Sequence, residues 1–139
     1  MIKVVLDTNV YLAALIKPQG VCARVLAKFD SAHFQLICSE LILKEIFQVS
    51  GREKFTNYFS VVEVKKLIAG IRDKSLLIAT AQLVGADLSK IEIVDLFDQI
   101  IISAFIASKA DFLVTGNKKH FLSLGEQVLT PREFIERFD

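Results

Sequence analysis

Short apolar runs that stop at a polar residue and give way at once to helical periodicity constrain this chain more than any other feature. Val4-Val5-Leu6 is the first such run; it ends at Asp7, and from Asn9 onward Val10, Leu12, Ala13, Ala14 and Leu15 follow as a helix. Pro18 and Gly20 end that helix, and Val21, Val25, Leu26 and Phe29 mark the apolar side of a second one. Phe34 to Cys38 is the next strand, with Ser39 placed to cap a helix running to about Val49. The segment 51–74 reads as two polar helices with Phe55, Tyr58, Phe59, Val62, Leu67, Ile68 and Ile71 facing inward. Leu76 to Ala79 and Ile91 to Val94 are extended candidates, and Asp95 opens a long helix to about Lys109. Phe112 to Thr115 is a buried strand ending at Gly116, and Val128-Leu129 is a last short one. Thr130-Pro131-Arg132-Glu133 then combines an N-cap threonine, a proline at the first helical position and a capping-box glutamate. Strand alternating with helix throughout predicts an α/β fold: a three-layer α/β/α sandwich on a mostly parallel sheet of about five strands.

Composition narrows the function classes. At 139 residues the chain has the size of one domain, 1–139, and its 53% apolar content can build a core without disulfides. A net charge of +1 supplies no general field to draw in nucleic acid or anionic lipid, so any such contact must be local. One local excess exists: the segment 51–74 holds six Lys or Arg (Arg52, Lys54, Lys65, Lys66, Arg72, Lys74) against three acids, read as a solvated helix face. Cys22 and Cys38 cannot make a disulfide framework and read as small buried apolar groups in a reducing compartment. The N-terminal apolar run is too short for a secretory segment, and the stretch from Ile100 to Ala107 falls far short of a membrane span. The expectation is a cytoplasmic protein with no membrane partner.

In an open parallel sheet, ligands bind beyond the carboxyl ends of the strands. Three polar clusters fall there: Asp7-Thr8-Asn9, Asp95-Leu96-Phe97-Asp98 and Thr115-Gly116-Asn117. A fourth candidate comes from periodicity, since Ile42, Glu45, Ile46 and Val49 share one helical stripe, which places Glu45 among apolar neighbours. Each has an ordinary structural role to fill as well. Asp7 or Asn9 could cap the first helix, Asp95 could cap the long one with Asp98 at its dipole, and Glu45 could reach water from the edge of its stripe. Converging carboxylates, however, raise one another's pKa unless a cation neutralises them. Oxygen donors without His or Cys favour Mg²⁺ or Mn²⁺, ions that serve phosphodiester hydrolysis.

These residues resemble the PIN domain, a family of small metal-dependent ribonucleases that includes the toxins of VapBC-type toxin–antitoxin pairs. Val4 to Val10 is similar to the family's opening strand, whose Asp is a metal ligand; Ser39 to Ile46 is similar to the second motif, with Glu45 as its catalytic acid. Asp95 to Asp98, followed by Ala107 to Gly116, is similar to the third and fourth, with Asp98 as the third acid. The resemblance covers nearly the whole chain and is greatest to the subgroup assigned to toxin components. It implies that Asp7, Glu45 and Asp98 hold Mg²⁺ or Mn²⁺, that Asn117 completes the shell directly or through water, and that Thr8, Asn9, Asp95 and Thr115 orient the carboxylates. It further implies cleavage of RNA to 5′-phosphate and 3′-hydroxyl products, and a cognate antitoxin that occludes the cleft. Two departures stand out: Asn117 replaces the usual Asp, and Leu96 replaces a common proline.

Lys118, Lys119 and His120 could contact the RNA backbone or begin a solvated helix. A metal route does not need His120 as a base. A chain this apolar could also bury surface in a homodimer. The main rival is a catalytically weakened PIN-like module that binds RNA or protein, with Asn117 as its mark. A haloacid-dehalogenase-type phosphatase needs a second Asp where Asn9 stands, and no Gly-x-Gly-x-x-Gly follows any strand to hold a dinucleotide.

Overall fold

In the computed structural model, which describes residues 1–55, 57–79 and 96–139, the sheet is organised around its first strand. β1 (Ile2–Leu6) lies between β2 (Phe34–Ser39) and β4 (Phe112–Val114), with β3 (Ser75–Ile78) outside β2 and β5 (Val128–Leu129) outside β4. All four pairings are parallel. A strand paired on both sides and covered by helices needs an unbroken apolar run rather than alternation. Val4, Val5 and Leu6 supply it, and all three are fully buried. The expected three-layer α/β/α sandwich with five strands is therefore observed.

The chain leaves β1 for β2 and β3 on one side, then returns to β4 on the other, so the direction of winding reverses between β1 and β4. That reversal opens a crevice at the carboxyl ends of these two strands. Among the described residues the helices in chain order are α1 (Thr8–Ile16), α2 (Val21–Ala27), α3 (Glu40–Ser50), α4 (Val61–Lys74), α5 (Leu96–Ser108) and α6 (Pro131–Phe138). α1 starts one residue earlier than the apolar pattern alone placed it, because Asp7 is its N-cap. Ser39 caps α3 by accepting from the Ile42 amide, and Thr130 and Glu133 form the expected capping box on α6.

The segment 51–74 departs from expectation. Among its described residues it holds a 3₁₀ turn, Glu53–Phe55, and one α-helix, α4, instead of two helices. A capping box between Ser60 and Glu63 sets the phase of α4. In that phase Val64 and Ile71 are buried, whereas Val62 and Tyr58 remain 61% and 57% exposed, not inward-facing as expected. The strand expected near Leu76 to Ala79 is β3, shifted by one residue; the extended candidate Ile91 to Val94 lies outside the described residues.

The core continues into a cluster of phenylalanines between α6 and the sheet. Phe34 meets Phe134 and Phe138 at centroid distances of 5.7 and 5.3 Å, and Phe112 meets Phe138 at 5.5 Å, mostly edge to face. Cys38 is buried as expected, and burial pushes its thiol up to about 12; Cys22 is only half-buried, and both are free thiols. Among the described residues no single helix is long and apolar enough to cross a membrane.

Candidate active site

The parallel pairing of β1 with β4 puts the residues that follow them side by side. The Asp7 amide donates to the Val114 carbonyl at 2.9 Å, and Thr115 continues β4 toward β5 by donating to the Leu129 carbonyl at 3.0 Å. Thr115 is fully buried, and its hydroxyl donates to Asp7 Oδ2 at 2.8 Å. The Thr8 amide donates to the other oxygen, Oδ1, at 2.8 Å. Asp7 thus caps α1 and also presents a carboxylate anchored at both oxygens. Burial is the largest influence on its pKa and raises it; the bonds from Thr115 and Thr8, and the proximity of His120, oppose that rise without cancelling it.

Two further acids arrive from other elements. Glu45 on α3 is 6% exposed, between the buried Ile42, Ile46 and Val49, as its periodicity predicts. Asp98, in the first turn of α5, is 7% exposed, and its Oδ2 lies 3.1 Å from His120 Nδ1. The Nε2 of the same ring is 3.0 Å from Asn117 Nδ2. Asp7, Glu45 and Asp98 line one cavity of about 220 Å³, together with Thr8, Asn9, Asn117 and His120. Oxygen donors from three separate elements around one small polar space suit a hard divalent cation. Among the described residues no three acidic, His or Cys side chains already stand close enough to grip one ion.

Most of the residues singled out from sequence therefore meet in one place. Thr115 stands behind Asp7 and not in the cavity wall. Lys118 does not turn to the cavity; its ammonium pairs with Glu133 at 3.0 Å, joining the start of the post-β4 segment to α6. Lys119 is exposed and does not line the cavity. Asp95 lies outside the described residues.

The cavity also holds residues that sequence reasoning did not place there: Arg52, Lys54, Phe97 and Val49. The Arg52 guanidinium sits 5.8 Å from the centre of the Phe97 ring, within cation–π range. The local positive excess of 51–74 was the available signal. Two of its six cations rim the cavity because α3 ends at Gly51 and the chain folds back across the site.

A family model for the PIN domain matches residues 3–119. The chain belongs to the PIN-domain family. Among solved PIN-like folds, the chain is similar to a structure of VapBC-1 from nontypeable Haemophilus influenzae, with TM-score 0.65, 15% identity, and coverage of 94% of this chain and 99% of that one. The DNA-bound VapBC of Salmonella typhimurium gives TM-score 0.62 and 17% identity, with 94% and 99% coverage. VapBC2 of Rickettsia felis, bound to a fragment of promoter DNA, gives 0.61 and 22%, with 86% and 91% coverage. At the sequence level, the PIN domain is 29% identical to an uncharacterized protein of Methanocaldococcus jannaschii over 99% of this chain and 92% of that protein. The fold expectation is met by these neighbours.

Proposed function

We propose that residues 1–139 act as one PIN domain that hydrolyses RNA phosphodiester bonds, and that the protein is the toxin of a toxin–antitoxin pair. The observation that carries this reading is the union of three acids, the buried Glu45 and Asp98 and the half-buried Asp7, in one cavity with a cationic rim of Arg52 and Lys54. Acids alone would repel a polyphosphate, and cations alone would bind it without cutting. An acidic floor under a basic rim is what in-line hydrolysis requires.

Asp7, Glu45 and Asp98 would hold Mg²⁺ or Mn²⁺, and Asn117 stands beside them as a neutral oxygen or amide contact. When bound, such an ion lowers the pKa of water and neutralises charge on phosphate. The chain's own groups do the rest. Thr115 and Thr8 fix the orientation of Asp7, so that little reorganisation is needed on binding. Burial disfavours the charged form of Asp7 until a cation compensates it. Arg52 and Lys54 can hold the phosphates flanking the cut, a role that the ion pair to Glu133 makes less available to Lys118.

Support for the toxin role comes from the neighbours, which are VapBC complexes. A cognate antitoxin would cover the acid cavity. Phe47, Tyr58, Val61 and Val62, between 45% and 61% exposed, give this chain apolar surface for the antitoxin or for a second copy of itself. Cellular RNA as substrate would place the protein in the cytoplasm.

The test is incubation of the purified chain with total RNA and with single-stranded DNA in Mn²⁺, Mg²⁺ and EDTA, beside Asp7→Asn and Asp98→Asn. Cleavage of RNA that needs the metal and is lost in both variants is expected. Intact RNA in every lane, with Mn²⁺ still bound, would transfer the reading to a PIN-like binding module.

A further inference from the structure

Among the acids and amides that line the cavity stands a phenyl ring, Phe97, which can neither hold a cation as a ligand nor move a proton. It lies in the first turn of α5, next to Asp98. Ile101 and Ala104 continue its face of the helix and are fully buried, whereas Phe97 is only half-buried. That face of α5 therefore leaves the core at its first turn and brings the ring out beside the acid. The Arg52 guanidinium carbon lies 5.8 Å from the centre of the ring. Arg52 is exposed, and among the described residues no carboxylate pairs with it; Arg72 and Lys74 of the same basic segment are tied to Glu40 and Asp30. Lys54, two residues on, reaches the same cavity and lies 5.0 Å from the centre of the Phe55 ring. Phosphate alone would need the cations and not the rings. Cations interleaved with aromatic faces suit a single strand, whose backbone takes the charges and whose bases stack on the rings.

We propose that Phe97 and Arg52 form a subsite for the unpaired nucleobase next to the phosphate being cut, and that this pair selects single-stranded RNA. The base stacks on Phe97, and Arg52 beside it turns its fork of N–H donors to the adjoining phosphate. In a duplex each base is held by pairing between its stacked neighbours, so it cannot turn to the ring. Phe97 and Arg52 are specificity residues: they touch the base and the backbone, and leave the reacting phosphorus to the acids. The inference rests on the proposed function for the identity of the strand as RNA substrate. The stacking itself is decided by binding, without any cleavage.

The experiment uses the full chain in EDTA at low salt and fluorescence anisotropy with three labelled probes: a single-stranded oligoribonucleotide, an abasic strand of the same length and charge, and a duplex. The wild type is expected to bind the base-bearing single strand more tightly than either of the others. Phe97→Leu should weaken that strand by roughly 5–150-fold, the scale of one base stacked on an aromatic ring, and leave the abasic strand unchanged. Phe97→Tyr, which keeps a ring, should bind as the wild type does, and Arg52→Gln should weaken both single strands. A wild type that holds the base-bearing and abasic strands equally, a comparison that needs no variant to fold, would overturn the subsite. So would undiminished binding of the base-bearing strand by Phe97→Leu. A wild type that cleaves no RNA in Mn²⁺ would instead defeat the nuclease reading, and the comparison of strands in EDTA would still decide the subsite.

Discussion

Replacing Thr115 by Val isolates the hydroxyl that anchors Asp7. The two side chains have nearly the same shape, and the site is fully buried, so the change removes one hydrogen bond without opening a cavity. The bond runs to a carboxylate at 2.8 Å, and bonds to charged groups contribute about 1.5–3 kcal/mol. The Asn117 amide, which also loses an acceptor, belongs to an exposed residue and can turn to water at little cost. For a chain of this size each kcal/mol moves Tm by roughly 3–5 °C, so Thr115→Val should lower Tm by roughly 5–15 °C. In an Asp7→Asn background only a neutral amide, with one acceptor oxygen for two donors, faces the hydroxyl, and the same change should cost only about 0.5–1.5 kcal/mol. The coupling between the two sites is then about 1–1.5 kcal/mol, measurable as a double-mutant cycle by urea unfolding in EDTA at pH 7.5. A Thr115→Val protein within about 0.5 kcal/mol of wild type, or an equal loss in both backgrounds, would refute the anchoring argument.

Asp7→Asn itself should stabilise the metal-free fold near neutral pH. A carboxyl whose folded pKa is raised binds more protons folded than unfolded, so its contribution is lost as pH climbs from near 3.8 through the folded value. The asparagine variant escapes that loss, and its advantage in urea midpoint should shrink when the pH is brought below 4. Ser39→Ala removes the buried cap of α3 and should cost about 1 kcal/mol by thermal unfolding. Phe134→Ala, in the centre of the phenylalanine cluster, should cost about 3–5 kcal/mol in the same assay.

What was legible in the sequence was whatever follows from a strand end or a helical stripe. Asp7 and Thr115 follow unbroken apolar strands, and Glu45 interrupts an apolar stripe; each of these signals is local, and each residue lies where its signal places it. Contacts between elements left no such trace. That Lys118 meets Glu133, and His120 meets Asp98, depends on how the segment after β4 folds across α6 and α5. The positions of Arg52 and Lys54 depend on the turn after α3, which no periodicity describes. The phase of α4 was within reach: Ser60 and Glu63 are three apart, and that capping box sets Val64 inward and Val62 outward.

The placement of β1 between β2 and β4 also bears on the order in which the site assembles during synthesis. The hydroxyl that anchors Asp7 is synthesised 108 residues after it. At about 5–20 residues per second, roughly 5–20 s of synthesis separates the two. During that interval β1 has only one of its two sheet neighbours, and the crevice beside it has no second wall. A site assembled this way is complete only once β4 has been made and slotted against β1.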